Sequence, residues 1–341
     1  MKMDRLEVLY GRATRLPGPA RADMLDELRR SEPELARELA SLLDAGASAG
    51  SFFDSLGKTL FSGDEGMTDP RELIPAVDPL YGTTVGPYRI DTVIGRGGMG
   101  TVYKAIHEPT GETHALKFLP ALAAASAEIR RRFIAEASHT RGLRHPNVGR
   151  IHDIDETADG RLYLSMPFYP GATLRQRLKA GALPPDETRD WLRQTAAGLA
   201  AVHAAGIVHR DLTPGNLIRD VEGVVKILDF GLAKATDVTL GTGNRPLGTL
   251  VYMAPEQLSA SDVDYRADLW SLGVILHEMI WGTRPYQAST LSALALLMRD
   301  PAPVEIPAAR EGVRPDLLDL VRGLLSKNPD ERPELSEVAA I

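Results

Sequence analysis

The string Ile94-Gly95-Arg96-Gly97-Gly98-Met99-Gly100-Thr101-Val102 contains G-x-G-x-x-G, and the residues on either side of it constrain the fold more than the glycines do. In a dinucleotide-binding unit the same string opens a helix. Here it runs straight into Val102-Tyr103-Lys104-Ala105, a β-type run, after two others, Tyr88-Arg89-Ile90 and Asp91-Thr92-Val93-Ile94. The glycines therefore sit at a hairpin tip, where a backbone without Cβ atoms can close over phosphates or serve only as a turn. A further strand, His114-Ala115-Leu116-Lys117-Phe118-Leu119, comes after the turn Pro109-Thr110-Gly111-Glu112. From Asp186 onward the pattern is mostly helical, interrupted by a β-rich stretch from Asn216 to Phe230. A β-rich lobe followed by a helix-rich lobe predicts an α+β, bilobal fold with a crevice between the lobes.

The chain of 341 residues is long enough for two or three packed units, and its 43% hydrophobic and 25% charged content is ordinary for a globular protein. Against 39 Lys and Arg stand 46 Asp and Glu, a net charge of −7 that argues against a nucleic-acid partner held by phosphate neutralisation. The absence of cysteine removes disulfides, thiolate zinc sites and cysteine nucleophiles, and none of the eight histidines has metal-ligand spacing. Charges occupy Met1 to Gly11, where a signal peptide needs an apolar core. The blandest stretch, Thr195 to Val208, is broken by His203 and falls short of the roughly 20 apolar residues of a membrane span. A cytoplasmic protein with no membrane segment is expected. Residues 1–44 read as a helical N-terminal segment, with Ser31-Glu32-Pro33-Glu34 as a capping box, and 45–87 as a linker rich in Gly, Ser, Asp and Pro.

Chemistry-bearing residues accumulate after Tyr88. Lys117 ends a strand 22 residues after Gly95, and Glu136 comes 19 residues later in a helical run, placed to orient that lysine toward phosphates. Then come His209-Arg210-Asp211-Leu212-Thr213-Pro214-Gly215-Asn216 and, 18 residues after Asp211, Asp229-Phe230-Gly231. Gly248-Thr249-Leu250-Val251-Tyr252-Met253-Ala254-Pro255-Glu256, Asp268-Leu269-Trp270-Ser271-Leu272-Gly273 and Pro329-Asp330-Glu331-Arg332-Pro333 complete the series. In order and spacing these resemble the landmarks of bacterial eukaryotic-like Ser/Thr protein kinases over about 88–341. The resemblance implies an N-lobe of about 88–166, a C-lobe of about 170–341, and ATP-dependent phosphorylation of Ser/Thr hydroxyls on protein substrates.

The same resemblance assigns roles. Asp211 would orient the acceptor hydroxyl, Asn216 and Asp229 would hold Mg²⁺ against the ATP phosphates, and Lys117 paired with Glu136 would steady the non-transferred phosphates. The nucleotide would lie among Ile94, Gly95, Arg96, Gly97, Gly98, Met99, Gly100, Val102 and Ala115. A hinge at Met166-Pro167-Phe168-Tyr169 would offer the Pro167 carbonyl and the Tyr169 N–H to the purine edge. Glu256 and Arg332 would form a buried ion pair, Asp268 would hold the catalytic-loop backbone, and His209 would be a packing residue. Thr249 resembles the threonine that contacts the catalytic aspartate in the Ser/Thr class. The stripe Leu269, Leu272, Val274, Ile275 and Ile280 reads as helical-lobe core.

Two positions depart from the family pattern. Thr213 stands where lysine is usual, and neighbouring Gly215 supplies no cation, which predicts slowed chemistry unless Lys226 or Lys234 reaches in. Thr140 stands where an apolar side chain normally packs between helix and sheet. An active kinase keeps Lys117, Glu136, Asp211, Asn216 and Asp229; a nucleotide-binding pseudokinase acting as a docking scaffold is the alternative that the two threonines leave open. Activation by self-association and autophosphorylation of Thr239 or Thr242, neutralising Arg210, is the regulation these residues suggest.

Overall fold

The computed structural model describes residue 28 and residues 78, 80–97, 100–119, 127–229, 247–258, 263–288, 291–308 and 310–339. The chain divides into two compact units, 1–75 and 76–341. Of the first, only Leu28 is described, as helical, so the expectation of an N-terminal helical segment falls almost wholly outside the described residues.

The second unit begins with a six-stranded sheet in the order β1-β2-β3-β4-β6-β5. Its strands are β1 (Thr84–Val85), β2 (Tyr88–Gly97), β3 (Gly100–His107), β4 (Thr113–Phe118), β5 (Asp153–Glu156) and β6 (Leu162–Pro167). Strand β1 lies inside the stretch read as linker. It pairs Thr84 with Arg89 and Val85 with Tyr88, and Val85 is buried, so the last residues of 45–87 belong to the sheet. A two-residue strand is too short to show a periodicity, which is why composition hid it. As predicted, β2 and β3 form a hairpin through the glycine string, Gly97 opposite Gly100.

Strand β4 shows how alternation sorts the lobe. His114, Leu116 and Phe118 face one way; Leu116 and Phe118 join a cluster with Ile90, Tyr103 and Tyr163. Ala115 faces the other way, into a cluster with Leu164, Met166 and with Phe133 and Ala137 of α1 (Ala127–Arg141). Lys117 shares the Ala115 face by the same period of two. Thr140 near the end of α1 is buried, yet its hydroxyl donates to the Ala137 carbonyl at 2.9 Å, so the polar group in this packed position is satisfied within its own helix.

Past the hinge, a small sheet of β7 (Gly171–Thr173), β8 (Leu217–Asp220) and β9 (Val225–Ile227) carries the catalytic-loop region, and helices α2 (Leu174–Leu178) and α3 (Pro185–Ala204) pack beside it. The short helices α4 (Leu247–Leu250) and α5 (Pro255–Leu258) precede the central helix α6 (Arg266–Trp281). The last three are α7 (Leu291–Arg299), α8 (Pro315–Leu324) and α9 (Leu335–Ala339). Helix α6 is buried almost throughout: Leu269, Leu272, Val274, Ile275 and Ile280, the stripe expected to be helical-lobe core, are all in the main cluster. It packs closely on α8 because Gly273 has no Cβ; one would lie 2.8 Å from the Leu324 Cβ. Among the described residues no helix is long and apolar enough to cross a membrane.

Candidate active site

The catalytic loop is positioned from below by one buried carboxylate. Asp268 in α6, 0% exposed, accepts the backbone N–H groups of His209 and Arg210 and faces the Nε2 of His203, each at 2.8 Å. These bonds hold Arg210 at φ 64, a conformation uncommon for a residue with a side chain and one that persists only when surroundings over-determine it. The expected role of Asp268 is thus made by two backbone donors, and His203, which belongs to no motif, is its third partner. Nothing in the spacing of His203 and Asp268 along the chain signals this contact; the packing of α3 on α6 makes it.

His209 does more than pack. Its Nδ1 faces the Asp211 N–H at 3.3 Å and its Nε2 faces the Leu228 carbonyl at 3.0 Å, which assigns the ring proton to Nε2. The Leu228 N–H in turn donates to the Asn216 carbonyl at 2.8 Å. Both backbone groups of the residue before Asp229 are therefore pinned to the loop that carries Asp211 and Asn216. Asp229 itself sits at φ 61. These bonds join three acidic or amide side chains from two separate stretches into one constellation.

Within it, Asn216 Nδ2 donates to the Asp211 carbonyl at 2.8 Å and lies 3.3 Å from Asp211 Oδ2. Because the amide nitrogen is turned toward Asp211, the Asn216 Oδ1 is left as an acceptor. From the opposite lobe, Lys117 Nζ reaches to 3.0 Å from Asp229 Oδ2. Lys117 is buried, and this contact is an ion pair rather than an aligned hydrogen bond. Glu136 lies in α1 at its expected place in the chain, but its side chain is outside the described residues, so the Lys117–Glu136 pair is not described.

The hairpin and hinge residues assemble around the same crevice. Val102, Ala115 and Met166 share one apolar cluster, and Met166 and Asp229 border a common small cavity with Leu164 and Leu228. Ile94 is exposed, while Gly98 and Met99 are outside the described residues. Arg96 is tied to Asp78, which also receives the Leu80 N–H at 2.9 Å. Pro167 stands opposite His114, the Phe168 N–H is used by the Thr113 carbonyl at 3.3 Å, and the Tyr169 N–H bonds to no described residue. The hinge thus keeps one backbone donor open. The Tyr169 phenol accepts the Arg150 N–H at 3.1 Å, and burial raises its pKa.

Further out, Arg332 grips Glu256 with two bonds of 2.6 and 3.0 Å and also donates to the Ser326 and Arg266 carbonyls. The Arg332 side chain is 0% exposed, so the expected buried pair is made. The Thr249 hydroxyl, expected against Asp211, makes no hydrogen bond among the described residues. Of the two cations considered as replacements near Thr213, Lys226 is spent: its Nζ donates to the Pro146 carbonyl at 2.7 Å and lies over the Tyr169 ring. Lys234, Thr239 and Thr242 are outside the described residues.

A two-lobed fold with this cleft defines a class, and comparison with known proteins names it. Residues 88–340 match the protein kinase domain model, so the chain belongs to the protein kinase family. It is 38% identical over 255 residues to the serine/threonine-protein kinase PknE of Mycobacterium bovis, covering 74% of this chain and 44% of that one. It is 36% identical over 283 residues to PknA of Mycobacterium tuberculosis, covering 78% of this chain and 64% of that one. The chain thus spans about half to two thirds of the length of these relatives. Among solved structures, the PknI kinase domain of Mycobacterium tuberculosis (C20A mutant) aligns with a TM-score of 0.60 at 27% identity, covering 77% of this chain and 97% of that one. The bilobal kinase fold expected from the motifs is borne out.

Proposed function

We propose that the chain is an active protein serine/threonine kinase that transfers the γ-phosphoryl group of ATP to Ser/Thr hydroxyls of protein substrates. The observation that carries this reading is the convergence of Asp211, Asn216 and Asp229, with Lys117 Nζ 3.0 Å from Asp229. A docking scaffold has no need for a buried lysine paired with a strained carboxylate, whereas phosphoryl transfer depends on such positioning of charge.

Asp211 accepts the acceptor hydroxyl and orients it for in-line attack. Lys117 holds the non-transferred phosphates and the glycine hairpin covers them. The Pro167 carbonyl and the open Tyr169 N–H receive the purine edge. Asn216 Oδ1 and the Asp229 carboxylate are hard oxygen donors that suit Mg²⁺ shared with phosphates. When bound, that ion supplies charge neutralisation for the phosphate oxygens. The Glu136 carboxylate is assigned to Lys117 on its position in α1.

For regulation, Arg210 supports a phosphorylation switch. Its Nε is buried without a hydrogen-bond partner and, among the described residues, its Nη2 reaches only the Val263 carbonyl at 3.3 Å, a setting that suits an added anion. Autophosphorylated Thr239 or Thr242 would supply it, after self-association of two copies, in a cytoplasmic setting.

Incubation with labelled ATP, Mg²⁺ and a basic acceptor protein tests the reading, with Asp211→Asn as control. Label transfer that falls about 10²- to 10⁴-fold in the variant is expected. ATP binding without any transfer by the wild type would reduce the chain to a scaffold. Mass spectrometry of the active protein should find phosphate on Thr239 or Thr242; full activity with both unmodified would remove the switch.

A further inference from the structure

The catalytic loop departs from the family pattern at Thr213, and a side chain from another element lies beside Thr213 and the neighbouring Gly215. Gly215 has no Cβ, and one placed there would lie 3.2 Å from Arg175 Nε, 3.6 Å from Arg175 Nη2 and 3.6 Å from Thr213 Oγ1. The Arg175 guanidinium therefore lies against the loop between Thr213 and Asn216, in space that a larger residue at 215 would take. Helix α2, which carries it, is anchored by fully buried Leu174 and closed by a reciprocal capping box between Thr173 and Gln176.

Among the described residues nothing takes up the charge of Arg175. Lys117 is paired with Asp229, Lys226 with the Pro146 carbonyl, and the neighbouring Arg177 with Glu187. Arg175 is exposed and makes no hydrogen bond or ion pair with a described residue. Its field extends to the buried Tyr252: burial and Glu278 raise that phenol's pKa, while Arg175 and Arg284 oppose the rise.

We propose that Arg175 is a catalytic residue, its guanidinium meeting the negative charge on the transferring phosphoryl group in the place left by Thr213 and Gly215. The inference rests on the phosphotransfer reading above. In that step the acceptor oxygen bonds to Pγ while the bond from Pγ to the bridging oxygen breaks. The electron pair leaves with ADP, and the hydroxyl proton passes to Asp211. Charge spreads over the three equatorial oxygens of the phosphoryl group, and a planar guanidinium is suited to pair with two of them.

The test measures steady-state kinetics of the full chain as wild type, Arg175→Met, Thr213→Lys and the double variant, with melting temperatures as a check on folding. Arg175→Met should lower kcat about ten- to a hundredfold with little change in either KM. Thr213→Lys should restore most of the lost kcat to Arg175→Met. An unchanged kcat in Arg175→Met, a loss confined to the KM of the acceptor, or no rescue by Thr213→Lys in a folded double variant would each overturn the proposal. A wild type that binds ATP and transfers nothing fails differently: it removes the kinase reading and this inference with it.

Discussion

The catalytic loop and the glycine hairpin face the same crevice but are held in opposite ways. The loop rests on Asp268, 0% exposed with three partners at 2.8 Å, and is stitched to Asp229 through both backbone groups of Leu228. The hairpin is tethered at its side through buried Asp78, which pairs with a 44% exposed Arg96 and receives the Tyr103 hydroxyl at 3.3 Å, and β2 carries register shifts between Ile90 and Thr92 and between Val93 and Gly95. A loop bonded to a fully buried carboxylate is a fixed template, while a hairpin whose arginine tether is half in water opens at lower cost. The difference suits the tasks proposed for them: transfer needs atoms held in place, and a nucleotide must enter and leave.

Substitution at Asp268 should have the largest effect on that contrast. Asp268→Ala leaves two buried N–H groups and His203 without their acceptor and should cost on the order of 3–5 kcal/mol, read as a fall in Tm. A loss under about 1 kcal/mol would mean that the loop holds itself. Asp78→Ala should be milder, about 1–3 kcal/mol, because the Arg96 partner is half in water while the Leu80 N–H and the Tyr103 hydroxyl lose their acceptor. Its main effect should be on ATP, a KM raised about two- to fivefold with kcat nearly unchanged. A matching fall in kcat would show that the hairpin tether also sets the chemistry.

The smallest effect is acid sensitivity, which compares the lobes. Burial lowers the pKa of His114 in the sheet and of His277 in α6. A histidine depressed on folding is neutral in both states above its unfolded pKa of about 6.5, so stability is full there. As pH falls below that value the unfolded chain takes up the proton first, and stability is lost. Thermal melts from pH 7 to 5 should therefore show a falling Tm, with a shallower slope in His277→Gln and in His114→Gln. An unaltered slope in both would move the acid response elsewhere.

Much of the site is readable in the sequence because its residues sit in short contiguous motifs. Asp211 and Asn216 share one loop, Asp229 comes within a few residues of a strand, and the alternation of β4 puts Lys117 on the face toward α1. Other parts are not readable. His203 reaches Asp268 across 65 positions, and Asp78 reaches Arg96 from a stretch that composition marks as linker. Arg175 gives no signal because its five-residue helix carries no motif and because the feature that admits it, the missing Cβ of Gly215, looks in sequence like a simple loss. Thr140 resembles a weakness, since a sequence does not show that its hydroxyl bonds the Ala137 carbonyl.

The order of elements, the two-lobed architecture and the identity of the acidic and amide groups were determined by the sequence, because strand alternation, helical stripes and loop motifs act over a few residues. Which cation stands beside Thr213, what supports the catalytic loop, and where the domain's sheet begins were decided only by the tertiary structure. Those features are contacts between positions far apart in the chain, and no local pattern encodes a distance that packing alone sets.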